Sequence, residues 1–299
     1  MTDWVLRILE KPDEMEAVER LQNLVWPGSE IDIVPAHMLL AAAHNGGLVI
    51  GAFAIPPGSV SGGTEELVGF VFGFPGLYTT PDGPRPKHAS HLLGVRPEFR
   101  NHGVGFALKR AQWQMVRHQG LDLVTWTFDP LLSRNANLNI TQLGAVCNQY
   151  RRDEYGNMRD TVNVGLASDR FQVSWWVNSK RVQRRLSRQA RLRLDLAHVL
   201  ATGSRIVNPS QPGTTGFPVP PDTIHLPDGE DELILLVEIP AEFQSMREKA
   251  PDLAHIWRMQ TRSLFEEVFA DGYLVTDFIY LPGSLPRSFY VLSYGESTL

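Results

Sequence analysis

Residues 100–105, Arg-Asn-His-Gly-Val-Gly, set an arginine and two glycines between an apolar run ending at Val95 and a polar–apolar pattern of helical period. The first amides of a helix have no partner inside it, and the helix dipole adds partial positive charge there. Glycine lets the backbone curl so that several N–H groups converge, and it puts no side chain in the way of an approaching anion. The ligand this chemistry predicts is a phosphate or diphosphate. Two nucleotide signatures are excluded. Lys109 is misplaced for G-x-x-x-x-G-K-[ST], and no third glycine follows Gly105 at the spacing G-x-G-x-x-G requires. Just upstream, "HASHLLGV" (88–95) holds two histidines, and an unperturbed imidazole takes up a proton near pH ~6.5.

The elements that must position these residues follow from the pattern around them. Strands are predicted at 4–9, 48–55, 66–74, 88–95, 121–128, 145–155 and 170–177. Helices are predicted at 12–26, 35–47, after the glycines to Gly120, and at 134–144. "YTTPDGPRPK" (78–87), with three prolines and a glycine, reads as a loop. The fold class is α/β (α+β), one mixed central sheet flanked by helices. From 179 to 232 come an arginine-rich helix, "KRVQRRLSRQARLRLDLAHVL", and a Pro/Gly-rich connection. The arginines read as a solvated face, the usual state of such a run, or as an attraction for an acidic partner. Residues 233–299 form a smaller α/β unit. It parallels the middle of the chain: strand, Pro, Glu-Phe, helix, Gly, strand, but with no glycine between Phe243 and Gly272. An internal repeat and coincidence both account for this.

The stretch "GVRPEFRNHGVG" has the form R-x-x-G-x-G after a strand and before a helix. In that context it resembles the acetyl-CoA signature of the GNAT acetyltransferase superfamily, and the order of elements over about 1–178 is similar to that fold. "SHLLGVRPEFR", "TWTFDPLLSRNANLN", "LGA" and "GLASDR" look like a bacterial and archaeal subfamily of predicted acetyltransferases. The resemblance implies a catalytic domain at 1–178, and the glycines missing from 233–299 predict there a degenerate GNAT-like half that shapes the acceptor cleft or a dimer contact. It implies acetyl-CoA as co-substrate, no metal, and an amine acceptor, either a small molecule or a peptide or protein. A non-catalytic CoA-binding sensor of the same fold is the alternative.

Carried over residue by residue, the resemblance implies that Leu93, Gly94 and Val95 pair with pantetheine. The amides of Asn101, His102, Gly103, Val104, Gly105 and Phe106 hold the diphosphate, with Arg100 beside it. His91 is the base candidate, since strict alternation puts it on the strand face of Leu93 and Val95; a packed histidine is the competing account. The tyrosine that such enzymes often use as acid falls at Ile140, so Tyr150, on the next strand, becomes the nearest substitute, followed by Tyr155. Asn135 is placed near the cofactor or caps a helix. Asp129, Asp160 and Asp169 are carboxylates near the acceptor side or turn residues.

Bulk properties bound these readings. The chain has 299 residues, 43% hydrophobic and 20% charged, which suits a protein with a sizeable core. A net charge of −5 argues against non-specific nucleic-acid binding. Cys147 is the single cysteine, so no intramolecular disulfide forms. With no signal-peptide pattern at the start and no run of ~18 apolar residues, a cytoplasmic location is expected.

Overall fold

The structure is a computed structural model describing residues 4–28, 32–55, 65–156, 165–187, 195–226 and 233–295. Its contacts divide the chain into two compact units: Met1–Trp126 with Met158–Gly165 and Trp176–Asn178, and Thr127–Asn157 with Leu166–Trp175 and Ser179–Leu299. The division runs through a strand, between Trp126 and Thr127.

The first unit contains β1 (Trp4–Ile8), α1 (Pro12–Val25), α2 (Ala36–His44), β2 (Leu48–Ala54), β3 (Glu66–Thr80), β4 (Gly83–Val95), α3 (Val104–His118) and β5 (Leu123–Phe128), whose last two residues belong to the second unit. Strands β1 to β4 are consecutive antiparallel neighbours, and β4 pairs with β5 in parallel. One sheet face packs Met15, Val18 and Leu21 of α1 and Leu39 of α2 against Val49, Phe70 and Phe72. The other packs Val104 and Leu108 of α3 against Ile50, Val68, Val71, Leu93 and Val95. Burying a side chain of this size contributes about 1.5–3 kcal/mol, so both layers hold the sheet that carries β4.

The segment 78–87 is a hairpin, not a loop. Strands β3 and β4 stay in register through Gly76↔Lys87 and Tyr78↔Arg85 to Thr80↔Gly83, and Thr80 Oγ1 donates to the Gly83 carbonyl at 2.7 Å. Pro84 and Pro86 are two residues apart and so share one strand edge. Prolines confined to one edge leave the other free to pair, which is why their number misleads.

The second unit contains α4 (Ser133–Ala136), which runs into a π-helical segment (Asn137–Gln142), then β6 (Val146–Arg151), β7 (Arg170–Trp176), α5 (Lys180–Leu186), α6 (Leu196–Ala201), β8 (Arg205–Ile206), β9 (Gln211–Pro212), β10 (Pro218–Val219), β11 (Ile234–Pro240), α7 (Phe243–Lys249), α8 (Pro251–Ala270), β12 (Tyr273–Leu281) and β13 (Arg287–Tyr294). Its strand order is β7-β6-β12-β13-β11-β8, with β9 and β10 a separate pair. Phe171, Phe265 and Tyr290 meet edge to face, with ring centroids 4.7–5.5 Å apart.

Two arginines of α5 depart from the solvated face the run suggests, while Lys180 and Arg184 are exposed and residues 188–194 lie outside the described residues. Arg181 donates through Nε to the Gly144 carbonyl at 3.0 Å and through Nη2 to the Thr276 carbonyl. Arg185 donates to the Thr141 carbonyl at 2.9 Å and pairs with Asp277 at 2.5 Å. The Thr141 and Gly144 carbonyls they satisfy lie where the π-helical segment ends. Among the described residues no helix is long and apolar enough to cross a membrane, and no group of three His, Cys, Asp or Glu could hold a metal ion.

Candidate functional site

The turn before α3 has the conformation its glycines allow. Asn101 has φ 66° and Gly103 has φ 82°, the left-handed region that favours glycine and tolerates asparagine. Gly103 is the N-cap of α3, which has no side-chain cap. The first helical bond runs from the Ala107 N–H to the Gly103 carbonyl at 3.0 Å, so the amides of Val104, Gly105 and Phe106 have no partner within α3. A Cβ on Gly103 would meet no atom within 4 Å, so the turn stands open. Asn101, His102 and Gly103 are exposed. Arg100 folds back, its Nε donating to the Val95 carbonyl at 3.1 Å, and ties the turn to the end of β4. One helical turn beyond Phe106, Arg110 carries a buried Nε with no hydrogen-bond partner.

Strands β4 and β5 are paired only at His88↔Val124 and Ala89↔Thr125, whereas β4 continues to Val95. From Ser90 onward, the β4 edge that faced β5 is therefore released from that ladder. Leu93, Gly94 and Val95 lie on this released stretch.

At the same point β4 carries a bulge against β3. Phe72 is opposite Leu92 and Gly73 is opposite Ser90, which makes His91 the extra residue. The bulge overturns the strict alternation expected from sequence. Leu93 and Val95 pack on the α3 side. His91 instead lies against Phe72 and Phe74, at centroid distances of 6.0 and 5.9 Å, on the face lined by α1 and α2. Its residue stays exposed. The two rings keep water from part of the imidazole, and this desolvation lowers its pKa below 6.5. At neutral pH it is an uncharged proton acceptor.

On the α3 side of the same strand is a polar cluster whose members no spacing in the amino-acid order links. Lys109 is buried and donates to Ser90 Oγ at 3.0 Å and to Gln112 Oε1 at 2.8 Å. Gln112 Nε2 lies 3.1 Å from His88 Nε2. Since Lys109 can only donate here, the Gln112 oxygen faces it and the amide NH2 faces His88. His88 Nε2 then accepts, and its proton sits on Nδ1, which has no partner. Burial, then the charge of Lys109, lowers the His88 pKa to about 3. Lys109 occupies an ordinary helix position, and no spacing rule in the sequence marks it as buried.

The remaining candidates belong to the second unit. Asn135 is half-buried in α4. Tyr150, on β6, donates from its hydroxyl to Asp169 Oδ2 at 2.8 Å, and Arg262 holds the same carboxylate at 2.7 and 2.8 Å. Burial pushes the Tyr150 phenol well up, with Asp169 acting in the same direction. Tyr150 also lines a pocket of about 430 Å³ with Gln149, Arg151, Glu266 and Phe269. Tyr155 shares a 2.6 Å hydrogen bond with Thr127. Ile140 is fully buried. Asp129 is buried and paired with Arg258 at 2.6 Å, so its carboxylate is already engaged. Asp160 lies outside the described residues.

No family profile matches the chain, and no curated protein matches it. Solved structures similar to it include Arabidopsis thaliana NAA60 in complex with acetyl-CoA, at 16% identity over 58% of this chain and 99% of that one, with a TM-score of 0.45. An acetyltransferase of the GNAT family from Streptococcus pneumoniae matches at 12% identity over 57% and 98%, TM-score 0.40. The ribosomal-protein-S18-alanine N-acetyltransferase from Escherichia coli matches at 11% over 64% and 100%, TM-score 0.41.

Proposed function

We propose that the chain is an acetyl-CoA-dependent N-acetyltransferase that passes the acyl group directly to an amine, of a small molecule or of a peptide or protein. One observation carries this: amides without helical partners at the glycine-capped start of α3 stand beside a β4 edge released from β5. The turn suits a diphosphate, because the amides of Val104 to Phe106 have no helical partner and Gly103 places no side chain beside them. The released edge of Leu93 to Val95 suits the amides of pantetheine, which would continue the ladder as a short strand. The acceptor amine loses its proton to His91 and attacks the thioester carbonyl. The C–N bond forms, the C–S bond breaks, and the thiolate leaves and is protonated. A neutral, exposed imidazole on the strand suits the first step.

Calorimetry with acetyl-CoA should show one saturable site per chain, and an amine panel should reveal thiol release. Native protein that gives no heat with acetyl-CoA would sink the proposal. The second reading, a CoA-binding sensor, is favoured by buried Ile140 where a tyrosine is usual in the family it resembles. Tight binding without thiol release on any amine would select it.

A further inference from the structure

The cluster behind β4 has a direction. Lys109 Nζ donates to Ser90 Oγ at 3.0 Å and to Gln112 Oε1 at 2.8 Å, and it lies over the face of Trp126, 3.7 Å from the ring centroid. Gln112 in turn spends its amide hydrogens toward His88. Each of these donations runs away from Lys109. Ser90 Oγ receives one of them, so its own hydroxyl hydrogen must point elsewhere, and it finds no acceptor among the described residues. Ser90 is also the first β4 residue beyond the last rung shared with β5, Ala89↔Thr125. It therefore stands at the apex of the separation between those strands, only 7% exposed.

We propose that Ser90, backed by Lys109, is the proton donor to the departing thiolate, the role for which no tyrosine is present at position 140. This rests on the acyl-transfer reading above. As the C–S bond breaks, the sulfur takes the Ser90 hydroxyl proton and the Lys109 ammonium returns one to Ser90. Lys109 is left as the neutral amine and regains its proton from solvent once products leave. Ser90 touches the sulfur and is the catalytic residue; Lys109 acts through it. Burial supports the assignment, because it lowers the Lys109 pKa well below 10.5 and so makes its ammonium a stronger acid than an exposed lysine.

The test uses coenzyme A itself, so it does not wait on the acceptor. The thiol of bound CoA is titrated by thiolate ultraviolet absorbance in the wild type, Ser90→Ala, Lys109→Met and Ser90→Thr, with binding followed by calorimetry. The wild type should titrate about 1 unit below Lys109→Met, since a nearby cation favours the thiolate. Ser90→Ala should resemble Lys109→Met, and Ser90→Thr, which keeps the hydroxyl, should restore the lowered value. A merely structural role would alter melting or affinity and leave the bound thiol's titration alone. If Lys109→Met fails to fold, the Ser90→Ala and Ser90→Thr pair decides the matter alone. Equal CoA affinity with an identical titration in all four proteins overturns the Ser90–Lys109 role and leaves the acyltransferase reading standing. Absence of CoA binding in the wild type overturns both.

Discussion

Two helices of this chain follow a strand, a proline and a Glu-Phe pair, and they begin differently. After β4, Pro97, Glu98 and Phe99, helix α3 starts from Gly103 in the left-handed conformation. After β11, Pro240, Glu242 and Phe243, the chain forms α7, breaks at Ala250, and starts α8 with Pro251 at its first position. Proline there gives up an amide that the helix could not use, so one donor fewer is offered. Both helices end alike, with Gly120 at φ 75° and Gly272 at φ 93°. The strands repeat the contrast. The bulge of β4 leaves His91 exposed, whereas in β12 the extra residue is Thr276, whose hydroxyl bonds Ser293 at 2.9 Å and whose carbonyl accepts from Arg181. The same local devices are left open in one unit and satisfied in the other. Open polar groups on a fold that could close them are a mark of use.

The largest expected effect separates the two bulges. His91→Gln keeps a polar side chain and removes the proposed base, so kcat should fall by about 10²–10³-fold with little change in KM for acetyl-CoA. Thr276→Val, at the satisfied bulge, should leave kcat within a few-fold. Because the His91 pKa is held below 6.5 by desolvation, kcat/KM in the wild type should decline only as pH falls through that lowered value, and this acid limb should vanish in the variant. A normal pH profile and near-wild-type turnover in His91→Gln would remove the base from the scheme.

Next in size is the contrast between the two helix entrances. Gly103→Val places a β-branched residue at φ 82°, where an L side chain is strained by about 1–2 kcal/mol, and it sets a side chain beside the unpartnered amides. Acetyl-CoA affinity should drop by about 30–100-fold, the amides losing much of their approach to the diphosphate. Ala250→Gly at the second entrance should leave affinity unchanged. Equal losses, or none at either site, would erase the distinction between the two entrances.

These contrasts were unevenly legible in the amino-acid order. The strand–helix–strand runs at 233–294 and the glycine turn at 100–105 follow from period and from residue type, which are local properties. The bulge at His91 does not, since one extra residue in a ladder is set by which partners β3 offers, and a strict period of two assigns the wrong face. The same holds for Arg181 and Arg185, whose targets are carbonyls distant in sequence. It holds again for Lys109, which has the composition of a surface residue and the position of a core one. Tyr150 was reachable as the nearest phenol by sequence, but its bond to Asp169 was not.

A smaller effect concerns stability and the cluster behind β4. The unfolded chain protonates His88 near 6.5, while the folded one does so near 3. Between these values the unfolded state binds more protons, so stability rises with pH and is lost on acidification. The slope is about 1.4 kcal/mol per pH unit below 6.5 for this group. Urea unfolding of His88→Gln, compared with the wild type from pH 7 to 4, should show a slope shallower by that amount. Parallel slopes would mean that the buried imidazole is protonated without cost.

The smallest effect separates the two glycines that the sequence treats as a pair. Gly103 needs its positive φ, but Gly105 sits inside the first turn of α3 and is not among the residues with positive φ. A Cβ at Gly105 would lie 3.8 Å from Leu93 Cδ2 and 3.9 Å from Val95 Cγ2, which is ordinary contact. Gly105→Ala should therefore fold, gain up to about 1 kcal/mol from the better helix propensity, and bind acetyl-CoA within about 3-fold of the wild type. Its amide still points out of the helix start, and only the amide is asked to bind. A loss as large as that of Gly103→Val would show instead that the approach to the diphosphate passes over Gly105, and that both glycines clear the way for the ligand.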